Sequence, residues 1–245
     1  MAPFEELSEP RLVAELAAEA EARGWDGFFV WDHVAYRPPV RAIADPWITL
    51  SAVALATERL RIGALVTPLP RRRTHQVARE TVTLDRLSGG RLVFGVGVGS
   101  EATEEFKSER FGEEGDMRKR AVMLDEGLER LCAYWGGEFE PRPVQQPRIP
   151  IWVAARWPNR RPLKRAARWE GLFPIDLPGP EAMAELTAEV EQLRGSLDGY
   201  DLVAELPAGA DPAGWEQAGA TWCLTAPSDD LQPTPASVRA AIESL

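Results

Sequence analysis

Histidine, cysteine and lysine are all scarce in this chain of 245 residues. His33 and His75 are its two histidines, and they form no HxH or HExxH spacing. That excludes the clustered ligands of a hydrolytic metal centre, and no metal ion is expected. Lys107, Lys119 and Lys164 are the only lysines among 28 basic residues. All three fall in helical patterns, which argues against a Schiff-base lysine at a strand end. Cys132 and Cys223 lie far apart and make no CxxC. They are expected as reduced thiols in a cytoplasmic protein. The GxSxG elbow of serine hydrolases is missing. GxGxG at Gly95–Gly99 is not the GxGxxG of a dinucleotide site, and no acidic residue ends a following strand at the right distance. No apolar run approaches the ~18 residues of a membrane span, and the acidic start MAPFEELSEP does not read as a signal peptide. The net charge of −10 speaks against nucleic acid or an anionic membrane as a partner.

What is present is arginine, glycine and a steady alternation of strand and helix patterns. The stretch Arg86–Ser100, RLSGGRLVFGVGVGS, organises the chain. Gly95, Gly97 and Gly99 fall on every second residue, so in a strand their missing side chains share one face. Three such glycines together cost about 1.5–3 kcal/mol. That cost is kept where a planar cofactor or another backbone approaches closely; tight barrel packing is the plainer alternative.

In chain order, Ser8 caps a helix whose stripe is Leu12, Leu16, Ala17 and Ala20, and Gly24 stops it. Trp25–Val34 is an apolar strand. Asp45-Pro46 opens a helix through Ala56, Leu60–Thr67 is a strand, and Thr74 caps a helix to Ser88. After the glycine strand come helical segments over Glu101–Phe111 and Asp116–Tyr134. A connector punctuated by prolines leads to strand Ile151–Ala155, helix Arg160–Trp169, strand Gly171–Ile175 and helix Pro180–Arg194. Strand Tyr200–Leu206, helix Pro212–Ala218, strand Ala220–Thr225 and helix Pro235–Leu245 complete it. Strands alternating with helices predict an α/β fold with a parallel sheet, and this length favours a (β/α)8 TIM-type barrel in one domain over 1–245. The count stops at seven strands. Met1–Leu7 holds too few apolar residues for another, so the first strand is expected to be lacking or truncated to a stub.

In such a barrel the chemistry lies at the C-terminal ends of the strands. Asp32 and His33 end the first complete strand. A histidine there serves as a general acid or base near neutrality, with Asp32 modulating it, or else as a structural rim residue. Thr67-Pro68 offers a hydroxyl and a rigid turn, and Gly97, Gly99 and Ser100 end the glycine strand. Ala154-Ala155-Arg156 ends another strand and runs into WPNRRP. There Asn159 reads as an N-cap with Arg160 and Arg161 in the first turn. Cations oppose the helix dipole at that end, so they fit a bound anion or a solvated basic face. Arg71-Arg72-Arg73 reads as a solvated loop or subunit contact rather than a site.

Four segments carry a resemblance: GWDGFFVWDH, LRIGALVTPLPRRRTHQVARETVTLDRLSGGRLVFGVGVG, FGEEGDMRKRAVMLDEGLERL and IPIWVAARWPNRRPLKRAARWEGLFPI. Together they resemble the bacterial-luciferase-like monooxygenases. The resemblance implies a (β/α)8 barrel, a reduced flavin that is either FMN or the deazaflavin coenzyme F-420, a small-molecule substrate, and a homodimer. It implies that His33, with Asp32 beside it, matches the histidine set by the deazaflavin ring in the F-420 branch. Thr67 and Pro68 match a strand end with a bulge and a non-proline cis peptide. Gly97, Gly99 and Ser100 match backbone lining the ring, and Arg120 resembles a helix arginine that reaches the cofactor phosphate. Arg156, Asn159 and Arg160 match the loop closing around that phosphate, while Ala154 and Ala155 stand where paired glycines are common. The sequence departs from the family in its absent first strand, its short Trp135–Pro141 segment and this alanine pair.

The leading reading is a monooxygenase that uses reduced FMN and oxygen on a small organic substrate. An F-420-dependent oxidoreductase, with hydride moving to or from the deazaflavin, is the alternative. A truncated, non-catalytic relative acting as a binding or interaction protein is the third.

Overall fold

The computed structural model describes residues 1–107, 109–226 and 233–244. Seven strands form one parallel sheet in sequence order: β1 (Gly27–Val30), β2 (Arg61–Pro68), β3 (Leu92–Gly97), β4 (Ile151–Arg156), β5 (Gly171–Ile175), β6 (Asp201–Pro207) and β7 (Trp222–Ala226). The helices between them are α1 (Pro10–Ala22), α2 (Pro46–Ala56), α3 (Thr74–Leu87), α4 (Glu104–Lys107), α5 (Met117–Ala133), α6 (Leu163–Ala166), α7 (Pro180–Arg194), α8 (Ala213–Gln217) and α9 (Pro235–Glu243). The sheet curls until its ends face each other, with the Phe29 and Trp222 rings edge to face at 6.2 Å. Among the described residues it does not close: β1 is laddered to β2 and β7 to β6, with no ladder between β1 and β7. This is the expected barrel without its first strand. Met1–Phe4 supplies the expected stub. The Met1 amino group donates to the Phe29 carbonyl at 2.8 Å, and the Trp31 N–H donates to the Met1 carbonyl at 3.0 Å.

A parallel sheet covered on both faces needs apolar residues on both, and the alternation along each strand sorts them. Phe28 and Val30 join the large core under the helices, while Phe29 points to the inner cluster with Leu65, Val93, Trp152, Phe173 and Val203. Asp201, at the start of β6, floors that cluster by accepting from the Trp152 and Trp222 indoles at 3.0 and 3.1 Å.

The middle of β2 is irregular. Its register with β3 slips between Ala64 and Thr67, and the Leu65–Val66 peptide is cis. Gly95 lies against this bulge, where a Cβ would stand 2.3 Å from both the Ala64 carbonyl oxygen and Leu65 Cδ2. The close approach that its sequence position calls for is therefore made by another backbone.

Several helix ends differ from expectation. Glu9, not Ser8, caps α1, and the Ser8 hydroxyl donates instead to the Glu5 carbonyl. Arg73 precedes α3, so Thr74 is its first residue rather than its cap. Among its described residues, the segment Glu101–Phe111 holds α4 and a short 3-10 turn rather than one helix. Arg160–Trp169 shrinks to α6, because the residue before Pro162 is disfavoured in the helical region and the helix starts only after it. Asn159 is consequently no helix cap; its side chain accepts from the Arg161 N–H in a turn at 3.1 Å. Asp45 caps α2 as its sequence position predicts, and Asp116, where the second helical segment is expected to begin, caps α5.

Candidate functional site

At the C-terminal end of the sheet the chain leaves β1 through Trp31, Asp32 and His33. Both Asp32 and Glu105 are fully buried carboxylates there. Buried charges of this kind persist only when paired and hydrogen-bonded. The Arg72 side chain grips Asp32 through two hydrogen bonds of 2.9 and 2.8 Å. Arg71 reaches both acids, donating to the Asp32 carboxylate and carbonyl and to Glu105. Arg71 is 3% exposed and Arg72 16%, so this part of the triple-arginine run is an internal clamp and not a solvated loop. The short turn Leu69–Arg71 after β2 aims them back over the sheet.

His33 completes the cluster. Its Nδ1 lies 3.0 Å from Glu105 Oε1, and the Val34 N–H donates to Glu105 Oε2 at 3.0 Å. Burial by itself raises the pKa of Glu105. The hydrogen bond from His33, the charge of Arg71 and the Val34 N–H outweigh it, so the carboxyl lies below its ordinary range. An ionised Glu105 makes Nδ1 the donor and leaves Nε2 as the nitrogen able to exchange a proton. Phe4, Trp31 and Tyr36 surround the imidazole, with ring centroids 6.0, 6.0 and 5.0 Å away.

A second group forms at the end of β3. The buried Arg120 on α5 donates from Nη1 to the Val98 carbonyl at 2.9 Å and lies over the Phe106 ring at 4.2 Å. Among the described residues, its Nε and Nη2 are buried without hydrogen-bond partners, as is the Thr67 hydroxyl. Glu101 is the nearest carboxylate, 3.9 Å from Nη2. Burial depresses the pKa of the guanidinium, with Glu101 opposing. Gly99 takes φ +81, and a Cβ there would stand 2.2 Å from the Phe106 ring. Buried donors left unpaired at a strand end fit an anionic, polar cofactor. Gly97 pairs with Pro68 and faces Ala154, whose Cβ would be 3.5 Å from one built on Gly97. Ser100 caps the following turn through the Ala102 N–H at 3.2 Å.

The remaining candidates point elsewhere. Ala155 is buried towards the helices rather than the inner cluster. Arg156 pairs with Asp176 at the end of β5. Arg160 is held by Glu185 and Glu189 of α7, and its guanidinium stacks on Trp157 at 4.3 Å. Its contacts are therefore with α7 and not with Arg120. Cys132 and Cys223 are free thiols whose pKa burial raises, which makes them poor nucleophiles.

Glu105 is the site residue that the sequence conceals. It stands among Glu101, Glu104, Glu113 and Glu114, a run that reads as a solvated acidic face. Phe106, its apolar neighbour on a short helix that packs inward, is the one local signal of burial.

A profile of the luciferase-like monooxygenases matches residues 4–212. Among curated relatives, the oxygenase component of the flavin-dependent trigonelline monooxygenase of Acinetobacter baylyi is 28% identical over 159 residues, covering 59% of this chain and 43% of its own. The chain spans about half the length of the curated relatives it matches, 43–48% for the first three. Among solved structures, an F-420-dependent secondary alcohol dehydrogenase bound to an F-420–acetone adduct has a TM-score of 0.76 at 16% identity, covering 97% of this chain and 94% of that one. The oxygenating constituent of 3,6-diketocamphane monooxygenase of Pseudomonas putida, in complex with FMN, has a TM-score of 0.67 at 16% identity, covering 85% and 65%. At these identities the two structures speak to the fold alone.

Proposed function

Because the chain belongs to the luciferase-like monooxygenase family, we propose that it is an oxidoreductase that works with coenzyme F-420 on a small alcohol or carbonyl substrate. The observation that carries this reading is the His33–Glu105 pair, backed by Arg71. A deazaflavin supplies hydride exchange when bound. What the protein adds is a place for the proton that must move with the hydride. Glu105, kept ionised by Arg71 and the Val34 N–H, holds Nδ1–H of His33. Nε2 then takes the substrate hydroxyl proton in the oxidising direction and returns it in the reducing one. Asp32 stays clamped by Arg71 and Arg72 and acts by positioning Arg71. Arg120 and the Thr67 hydroxyl offer unpaired donors to the polar and anionic parts of the cofactor. Phe4, Trp31 and Tyr36 shield the imidazole from water. The same reading takes residues 1–245 as one domain of a cytoplasmic homodimer. Ile48 and Leu55 of α2, 65% and 75% exposed, favour a subunit contact.

The test is direct. The purified protein is titrated with F-420 and with FMN, followed by absorbance in the flavin bands, and turnover is measured with the cofactor that binds. His33→Ala should lower F-420 turnover by about 100-fold or more while cofactor affinity is nearly unchanged. A fully active variant with F-420 would remove the proton-transfer role. Binding of FMN alone, with oxygen consumption, would restore the monooxygenase reading.

A further inference from the structure

Helix α4 is a single turn, and its two central residues serve different ends of the site. Glu105 reaches towards β1, where it accepts from His33 Nδ1 and the Val34 N–H, both at 3.0 Å, and from Arg71. Phe106 is buried and turns towards α5 instead. Its ring lies 4.2 Å from the Arg120 guanidinium carbon and presses on Gly99. That contact requires the glycine, because a Cβ at position 99 would stand 2.2 and 2.4 Å from two ring carbons. The same Cβ would be 3.2 Å from Arg120 Nη1, so ring, guanidinium and strand-end backbone meet at one point. The chain between Gly99 and Phe106 is braced from within. The Thr103 hydroxyl donates to the Ser100 carbonyl at 2.8 Å, and the Phe106 N–H donates to the Thr103 carbonyl at 3.3 Å. Any displacement of Phe106 is therefore carried to Glu105 beside it. Arg120 itself is held at one edge, by Nη1 on the Val98 carbonyl at 2.9 Å. A planar group held at one edge swings; an anion bridging Nε and Nη2 holds the second edge and fixes the plane.

On the reading of Arg120 as the donor to an anion, we propose that Phe106 is a positioning residue for His33: its ring passes the occupancy of Arg120 to the Glu105–His33 hydrogen bond. With both edges of the guanidinium held, the ring rests on a settled plane. α4 is fixed with it, and Glu105 stays in reach of Nδ1. With the second edge free, guanidinium and ring shift together and the hydrogen bond opens more often. A separation of 3.0 Å leaves little slack, since such bonds are lost within about half an ångström. The imidazole is thus oriented for proton transfer once an anion is seated about Arg120. The coupling runs both ways, so loosening Glu105 must weaken the anion. Charge acting through space predicts the reverse: Glu105 is an acid, and removing its charge would strengthen a nearby anion.

The test uses the full chain without cofactor and sulfate as the probe. His33 and His75 are the only histidines, so isotopic nitrogen labelling of histidine resolves the His33 Nδ1–H, and His75→Gln identifies it. Sulfate should slow exchange of that proton with water by about tenfold, an ordinary coupling between two sites. Phe106→Leu keeps an apolar side chain without the flat face. In it sulfate should still bind by calorimetry, while the slowing falls below about twofold. Phe106→Met is read in the same way and guards against a misfolded leucine variant. Phe106→Tyr keeps the ring and should restore the slowing. Glu105→Gln should bind sulfate more weakly than wild type by about threefold or more. Slowing that persists in Phe106→Leu and Phe106→Met, or tighter sulfate binding in Glu105→Gln, would overturn the relay and leave Arg120 as the anion donor. Sulfate binding that is absent from wild type, or unchanged in Arg120→Ala, would overturn the reading of Arg120 and the relay with it.

Discussion

The behaviour of His33 turns on Glu105. Glu105→Gln keeps the shape of the side chain and removes the charge that orients Nδ1. Its expected effect on turnover is a loss of about 10–100-fold with little change in cofactor affinity, read from steady-state kinetics and a binding titration. The same substitution has a signature in stability. The folded-state pKa of Glu105 lies below the ordinary carboxylate range, so ionisation favours the folded state. Its contribution is whole above pH ~4.5 and is lost as pH falls through the depressed value. Denaturant unfolding at several pH values should therefore show wild type ahead of Glu105→Gln at neutrality, with the gap closing in acid. A gap independent of pH would mean that the carboxylate is not held as described. Arg120 makes a separate prediction: Arg120→Ala should weaken binding of whichever cofactor the protein takes by about 1.5–3 kcal/mol. Unchanged affinity for both cofactors would remove it from the site.

Among the elements, the β2–β3 pair carries the most constraint. The bulge after Ala64 pushes its carbonyl to where a side chain at position 95 would be. Gly95→Ala should destabilise the protein by about 1–3 kcal/mol through overpacking, measured as a lower urea midpoint at unchanged slope. A neutral Gly95→Ala would mean that the bulge yields without cost. This element was legible in the sequence: the period-two glycines marked a strand that something must approach closely. The approaching group was legible only through the family resemblance, which implies a bulge at Thr67-Pro68; the structure puts the register slip just before it, between Ala64 and Thr67. The opposite case is α6. WPNRRP read as a capped helix start, yet Pro162 delays the helix and Arg160 goes to the carboxylates of α7. A local capping pattern cannot register acidic residues that only the next helix brings alongside.

For the whole molecule, α2 poses the clearest question. PWITLSAVALA carries no charged side chain, so the face turned from the core is apolar too. A helix apolar all round is ordinarily covered, and the homodimer proposed above would cover it. Ile48→Glu with Leu55→Glu should convert a dimer to monomers in sedimentation while leaving the circular dichroism spectrum intact. A wild-type monomer at the same concentrations would remove the contact.

The sequence by itself determined the succession of seven strands and their helices, the cap of α2, and the end of β1 where His33 stands. These follow from hydropathy period, turn chemistry and capping, which act over a few residues. Only the tertiary structure decided which charges meet. Arg71 lies 34 residues from Glu105, and Glu105 lies 72 from His33. Most of the chain's many arginines look alike in sequence. The curl of the sheet selects the two that are stripped of water against Asp32 and Glu105, and desolvation makes that choice energetically binding.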